Sequence, residues 1–213
     1  MKINPLKGMK DYLPDEMRLR DYVQGKILEI YRASGFERIA TPMLEDMENL
    51  DKSEGGDNLN LIFKVLKRGE KLNAALATGE EKALSDMGLR YDLTLPLSRY
   101  YAANRASLPT PFKVIQTDRV FRAERPQKGR MREFVQCDID ILGDDSINAE
   151  IELIDVTARA LLAIGADPVL RCPLRYVRSE LESLNRLPGK STALQRVDAA
   201  LQLAAGGAAQ TRR

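Results

Sequence analysis

Basic side chains crowd into one short segment of this sequence. Six of them fall within fourteen residues, interrupted by a single acid, Glu124. The six are Arg119, Arg122, Arg125, Lys128, Arg130 and Arg132. Such a cluster could hold a polyanion, and a solvated surface loop would have the same composition. The charge pattern alone leaves both interpretations open.

Polar and apolar side chains alternate directly after this cluster. Residues 132–142 predict a strand, in which side chains two positions apart point the same way. One face would carry Phe134, Gln136, Asp138 and Asp140, and the core-facing set would be Val135, Cys137, Ile139 and Ile141. A polar face is either exposed to solvent or lines a cleft. Its position beside the basic segment favours a cleft.

The sequence contains no histidine, and this limits its chemistry. Ser-His and Cys-His nucleophile pairs and histidine metal sites are excluded. Cys137 and Cys172 are too few for a disulfide framework and too isolated for a paired-cysteine zinc site. We expect two reduced thiols and no protein-bound metal, so any chemistry must rest on arginines, carboxylates, amides and backbone groups.

Composition predicts a soluble, cytoplasmic protein. No stretch approaches the roughly 18 apolar residues that a membrane span needs, and residues 1–11 lack the apolar run of a signal peptide. The formal net charge of +2 makes no case for nucleic acid by itself.

Hydrophobic periodicity predicts an α+β fold with an antiparallel or mixed sheet flanked by helices. The residues predicted to begin or end these elements are Gly35, Pro42, Thr94 as a helix cap, and Asp145 or Ser146 as another cap. The predicted elements are a helix from 14 to 35, strands at 37–41, 61–66 and 89–92, a helix from 94, a hairpin of strands 112–122 and 132–142, and a helix from 146 to 165.

The last part of the chain has a different character. Residues 171–213 contain no convincing strand, although 191–203 could form an amphipathic helix. The terminal AAGGAAQTRR is typical of disorder. We therefore expect one domain over 1–170 and a divergent, partly helical or disordered tail.

Four segments, taken in order, carry a family resemblance. VFRAERPQKGRMREFVQCDIDILG (120–143) resembles motif 2 of the class II aminoacyl-tRNA synthetases in its histidyl form. KGMKDYLP (7–14) is similar to the N-terminal signature, GFERIATPMLE (35–45) to motif 1, and LRYDLTLPLSRY (89–100) to the histidine-pocket segment. Four ordered matches are far more specific than one short motif. The chain resembles the N-terminal part of a histidyl-tRNA synthetase catalytic domain.

The resemblance implies ATP-dependent activation of histidine and its transfer to tRNA-His, with Mg2+ accompanying the ATP. Arg122 would be the catalytic arginine at the α-phosphate, and Arg130 would reach the outer phosphates. Glu124 would accept from the adenine amino group, and Phe134 would stack on the purine. The alternative is a set of arginines on an exposed hairpin.

Histidine recognition is implied for a second set of residues. The matching positions in the family's pocket are Asp92, Thr94, Gln136 and Asp140. Each could instead be an ordinary polar residue of a strand or a helix cap. Motif 1 implies a homodimer, with Pro42 at its interface, although Pro42 could simply end a strand.

Several parts of the family's pattern have no counterpart in this sequence. We find no RGLDYY-like segment, no motif 3 and no anticodon-binding domain. We expect a truncated chain with impaired activity, dependent on a dimer partner or a second polypeptide. The resemblance fades near residue 170, and residues 172–213 could be out of the ancestral reading frame.

Two other functions compete with the ligase. One is a non-catalytic, histidine-sensing regulatory subunit of the ATP phosphoribosyltransferase type. Such a protein would be free to lose the ATP-contacting residues, whereas Arg122, Glu124, Arg130 and Phe134 all remain. The other is a nucleic-acid-binding module, which would need more aromatic residues than the Phe121 and Phe134 that flank the basic loop.

Overall fold

A computed structural model of the chain describes residues 3–51, 61–127 and 129–166. The predicted tail at 171–213, Cys172 and Lys128 lie outside these residues. The elements are α1 (Pro14–Ala33), β1 (Glu37–Arg38), β2 (Leu44–Asp46), α2 (Met47–Asp51), β3 (Lys64–Leu66), α3 (Glu70–Thr78), β4 (Ser85–Leu89), α4 (Thr94–Asn104), β5 (Phe112–Phe121), β6 (Glu133–Leu142) and α5 (Ile147–Ala163), with short 3-10 turns at Glu81–Leu84 and Arg105–Ser107.

The strands form two small sheets, in the orders β1-β5-β6 and β2-β4-β3. In the second sheet β4 lies in the centre, antiparallel to both neighbours, with Leu44 opposite Leu89 and Lys64 opposite Gly88. Helices alternate with the strands along the chain. The predicted α+β fold class is confirmed, although the strands are divided between two sheets.

The first of two compact units comprises Met1–Leu13, Arg38–Pro109 and Val114–Asp138. Its core includes a buried cluster of Leu50, Ile62 and Tyr91. Gly88 in β4 leaves room for this cluster, because a Cβ atom there would lie only 2.7 Å from Ile62 and 2.9 Å from Leu50. The cluster anchors β4 and the segment that follows it.

The hairpin of β5 and β6 supplies the basic loop of residues 122–132. Thr117 Oγ1 lies 3.3 Å from Cys137 Sγ, and Arg119 Nη1 donates to Glu133 Oε1 at 2.8 Å. In these two contacts the residue number rises along β5 while it falls along β6. The two strands are therefore antiparallel. The predicted hairpin and its two strand ranges are confirmed to within a residue.

The second unit comprises Pro14–Glu37, Thr110–Lys113 and the described residues from Ile139 to Ala166. Helices α1 and α5 pack together within it, and Arg159 Nη2 donates to Ser34 Oγ at 3.1 Å. Lys113 Nζ lies 2.5 Å from Glu152 Oε1 and 5.6 Å from the ring centroid of Phe36. No helix in the described ranges is long and apolar enough to cross a membrane.

Three predicted strands, at 89–92, 37–41 and 61–66, differ from the observed ones in their bounds. Strand β4 ends at Leu89 and does not cover 89–92. Arg90 N–H still bonds in the β2 register, since it donates to Met43 O, whereas Arg90 O accepts from Phe121 N–H of β5. The strand therefore ends where the backbone changes from β2 to β5 as its partner. The predicted strands at 37–41 and 61–66 are shortened to Glu37–Arg38 and Lys64–Leu66.

Thr94 does not cap α4, contrary to the prediction. It is the first residue of the helix, with Leu93 at the cap position, and its side chain is exposed. Asp92 Oδ1 instead accepts from Leu95 N–H at 3.3 Å. The short Asp92 carboxylate reaches an N–H of the first turn that has no partner within the helix.

A fully buried guanidinium, that of Arg90, joins three segments of the first unit. Arg90 Nη1 donates to Thr41 O at 2.7 Å, to Thr41 Oγ1 at 3.1 Å and to Pro42 O at 3.4 Å. Its Nε donates to Arg119 O at 2.9 Å, and its Nη2 lies 2.8 Å from Asp118 Oδ2. A buried charge is tolerated only when paired and hydrogen-bonded. Arg90 therefore fixes the end of motif 1 against β5.

We expect Arg90→Met to lower the free energy of unfolding by roughly 3 to 5 kcal/mol, because Asp118 and the backbone carbonyls would lose their donor. Urea denaturation measures this loss. The control is Arg18→Met, which removes the exposed Arg18–Asp15 pair and should cost about 0.5 kcal/mol or less. Equal losses in the two variants would contradict the role given to Arg90.

Candidate functional site

Arg122 lies where β5 ends and the basic loop begins. Its backbone N–H donates to Arg132 O at 2.8 Å, and its Nε donates to Tyr91 O at 3.1 Å. The guanidinium carbon lies 5.1 Å from the ring centroid of Phe134, within the range of a cation–π contact. Three contacts thus orient one half-buried arginine, so that a strong, planar anion-binding group is held in one position.

Glu124 and Arg130 face each other across the loop. Glu124 Oε2 lies 2.5 Å from Arg130 Nε, and the Glu124 side chain is 17% exposed while that of Arg130 is 59% exposed. The two residues predicted to bind opposite ends of ATP therefore bind each other. An ion pair open to water on one side is worth only about 1 kcal/mol or less. An incoming polyanion could displace it at little cost.

The structure brings the basic hairpin and the segment of residues 89–100 together. The bond from Arg122 to Tyr91 O places the predicted catalytic arginine beside the residue that precedes Asp92. Asp92 is half-buried, with one carboxylate oxygen at the start of α4. Thr94 is the first residue of α4 and is exposed. Pro42 lies elsewhere, in the segment held by Arg90.

Gln136 offers a buried acceptor on β6. Its Oε1 finds no hydrogen-bond donor among the described residues. Leaving a buried polar atom without a partner costs on the order of 1–3 kcal/mol, so such atoms point to a ligand or water. Gln136 shares a strand face with Phe134 by the two-residue repeat. This face is half-buried and not freely solvated.

Asp140 lies farther along β6, in the second compact unit. Burial raises the pKa of its carboxyl above the ordinary value, because taking the charged form out of water is unfavourable. Acid groups whose pKa is shifted by burial are common at binding sites and also occur in purely structural settings.

Three residues around the site were missed by the sequence analysis. Burial alone would raise the pKa of Asp118, but the Arg90 guanidinium and the Arg119 N–H outweigh it and hold that pKa below the usual value. Gln116 is buried, its Nε2 donates to Leu93 O at 2.9 Å, and its Oε1 lacks a donor within the described ranges. The one available signal was a glutamine directly after the apolar pair Val114 and Ile115 in the strand. No sequence pattern distinguishes a single buried arginine such as Arg90 from an exposed one.

Comparison with solved structures defines the class of the protein. The histidyl-tRNA synthetase from Nostoc sp. PCC 7120 matches with a TM-score of 0.61 at 28% identity, over 76% of this chain and 33% of that one. An ATP phosphoribosyltransferase regulatory subunit/histidyl-tRNA synthetase from Bacillus halodurans C matches with a TM-score of 0.63 at 25% identity, over 78% of this chain and 39% of that one. The fold is that of a class II aminoacyl-tRNA synthetase.

Sequence comparison narrows the class to one family. The family model described as histidyl-tRNA synthetase matches residues 8–202, which is more than half of the chain. A histidine–tRNA ligase from Leifsonia xyli subsp. xyli (strain CTCB07) is 50% identical over 166 residues. The chain belongs to the histidyl-tRNA synthetase family, as the four segments predicted. The aligned region covers 76% of this chain and only 38% of that relative.

We expect Asp140→Asn to raise the free energy of unfolding at neutral pH by about 0.5 kcal/mol, because the ionised form is the one that burial penalises. The sign follows from the raised pKa: the native state binds the proton more tightly than the unfolded state. The wild-type chain therefore loses stability as the pH rises from the unfolded value through the folded one. The gain in the variant should vanish in acid, where wild-type Asp140 is protonated.

Denaturant titrations at several pH values measure this difference. Asp144→Asn is the control of opposite sign, because a hydrogen bond from Ser146 lowers the pKa of Asp144. Its ionised form adds stability that is present above the unfolded pKa and lost in acid. A gain for Asp140→Asn that persists unchanged in acid would disprove the assignment.

Proposed function

We propose that this chain forms the ATP- and histidine-binding part of a histidine–tRNA ligase. The full reaction joins histidine to AMP as histidyl-adenylate and then transfers it to tRNA-His. The observation that carries the proposal is the bond between Arg122 and Tyr91 O, within a member of this family. It holds the arginine of motif 2 against the segment that carries Asp92.

The activation step requires positive charge at the α-phosphate. A histidine carboxylate oxygen attacks the α-phosphorus, a new carboxylate–phosphorus bond forms, and the bond to the departing pyrophosphate breaks. The planar guanidinium of Arg122 would bind the non-bridging α-phosphate oxygens, whose charge it neutralises as the bonds change. Because Arg122 is already oriented by Tyr91 and Phe134, little reorganisation is needed.

Nucleotide binding would rearrange the Glu124–Arg130 pair. Arg130 is the more exposed partner and would turn to the outer phosphates, which frees the Glu124 carboxylate to accept from the adenine amino group. Phe134 would support the purine, with Arg122 on one side of its ring. Mg2+ would accompany the ATP. The described residues contain no group of three metal-ligating side chains, and Mg2+ bound to a nucleotide takes most of its ligands from phosphates and water.

Histidine recognition would use the polar face of β6 and the start of α4. The buried Oε1 of Gln136 and the carboxylate of Asp92 suit the substrate's ammonium group, which donates three hydrogen bonds. Asp140 suits an imidazole N–H. Thr94 belongs to the same proposed pocket by its family position.

Wider properties of the family extend the proposal. We infer a cytoplasmic homodimer with Pro42 at its interface, and a tRNA-His substrate. Residues 1–170 would form the catalytic domain, followed by the segment of residues 171–213, into which the family match extends as far as residue 202. The remaining parts of a complete ligase would have to come from outside these 213 residues.

A histidine-sensing regulatory subunit is the second candidate function. The Bacillus halodurans C protein carries that name together with the synthetase name. Such a protein needs the histidine pocket and has no need for a nucleotide site. The retained Arg122, Glu124, Arg130 and Phe134 therefore favour the ligase.

Isothermal titration of the whole chain with ATP-Mg2+ and with histidine tests the proposal. We expect Arg122→Ala to weaken ATP binding at least about tenfold, because one charge-assisted contact is lost, and to leave histidine binding unchanged. Asp140→Ala should weaken histidine binding and leave ATP binding unchanged. Arg119→Ala is the matched control, because Arg119 lies on the same hairpin, is 60% exposed and pairs with Glu133; it should change neither affinity.

The outcomes separate the candidate functions. Binding of both ligands, each lost in its own variant, supports the ligase site. Histidine binding without ATP binding favours the regulatory subunit. A folded chain that binds neither ligand would overturn both.

A further inference from the structure

The N-terminal turn, defined here as residues 6–9, lies directly against the basic loop. Met9 N–H donates to Leu6 O at 2.9 Å and closes the turn, and Gly8 stands at its third position with a φ of 89°. A type II turn requires this left-handed value there, and glycine adopts it without strain. Gly8 O in turn accepts from Arg132 N–H at 2.7 Å.

The backbone of the turn also packs against side chains of the loop. A Cβ atom at Gly8 would lie 2.9 Å from Arg132 Cγ, 3.0 Å from Arg132 Cδ and 3.0 Å from Pro126 Cβ. Such distances are too short for carbon atoms at rest, which prefer about 3.5–4.0 Å. Any side chain at residue 8 would therefore push on both sides of the loop.

Arg132 connects the turn to both proposed ATP ligands at the start of the loop. Its carbonyl accepts from Arg122 N–H at 2.8 Å, and its Nε donates to Glu124 O at 2.9 Å. The guanidinium also lies 6.0 Å from the ring centroid of Phe63. One residue thus fixes the backbone of Arg122 and of Glu124.

We propose that Gly8 and Arg132 are positioning residues for the ATP loop. The N-terminal turn receives the stem of Arg132 because residue 8 has no side chain, and Arg132 then holds Arg122 and Glu124 in register. The relevance to ATP rests on the function proposed above. The mechanical claim concerns the loop alone and can be tested without nucleotide.

Amide hydrogen exchange of the ligand-free chain tests the mechanical claim. The reporters are the loop amides of Arg122, Gln127 and Arg130, all of which donate backbone hydrogen bonds. We expect Gly8→Ala to speed their exchange roughly tenfold or more, because the displaced Arg132 loosens the hairpin. Gly35→Ala is the matched control: its φ is 83°, and no atom of the described residues lies within 4 Å of its Cβ position. It imposes the same backbone strain without the collision.

A double variant connects the effect to Arg132. If the collision with the Arg132 stem causes the loosening, Gly8→Ala should add little further exchange in an Arg132→Ala background. Equal loop exchange in Gly8→Ala and Gly35→Ala, or full additivity with Arg132→Ala, would overturn the inference.

Titration with ATP-Mg2+ distinguishes positioning from direct phosphate binding by Arg132. We expect Arg132→Lys and Arg132→Met to weaken ATP binding by the same factor, about tenfold, because neither side chain reproduces the guanidinium bond to Glu124 O. Histidine affinity should stay unchanged in both variants. An Arg132→Lys variant that retains wild-type ATP affinity would overturn the positioning role, since charge alone would suffice. Faster loop exchange in Gly8→Ala supports the inference even if the wild-type chain binds no ATP, a result that would overturn the proposed function alone.

Discussion

The described structure depends on one buried positive charge. Arg90 has no exposed surface, and its guanidinium satisfies the carbonyls of Thr41 and Arg119 and pairs with Asp118. A charge in this position must be compensated on all sides or it would destabilise the fold. The compensation comes from the end of motif 1 and from β5, so these segments cannot move independently. The neighbouring Tyr91 then holds Arg122.

This arrangement explains how a histidine-free chain could support phosphoryl chemistry. The task requires no proton-transferring imidazole, since the attacking carboxylate is already ionised. It requires a fixed positive group near the phosphate and a surface for the purine. In the proposed function Arg122 would meet the first need, because backbone and aromatic contacts orient it, and Phe134 would meet the second. The loop beyond Arg122 is less constrained, since Glu124 and Arg130 are joined by a partly exposed ion pair.

Two polar side chains on β6 lower the stability of the ligand-free chain, and a ligand could offset this loss. Gln136 carries a buried acceptor without a donor in the described part of the chain, and burial raises the pKa of Asp140. Both features oppose stability when no ligand is bound. In the proposed histidine pocket, a substrate ammonium or imidazole would supply the missing donors. Stability and recognition would then make opposite demands on this strand.

The sequence by itself determined the fold class, the helix that ends before Gly35, the hairpin and the family, because these follow from periodicity, turn residues and long ordered motifs. It misplaced the strand at 89–92 and the cap at Thr94. There the bond from Phe121 N–H to Arg90 O and the carboxylate of Asp92 prevailed over local propensity. Only the tertiary structure placed Gly8 against Arg132, more than a hundred residues apart. Contacts between residues distant in the chain depend on which surfaces meet on folding, and neither spacing nor composition records that.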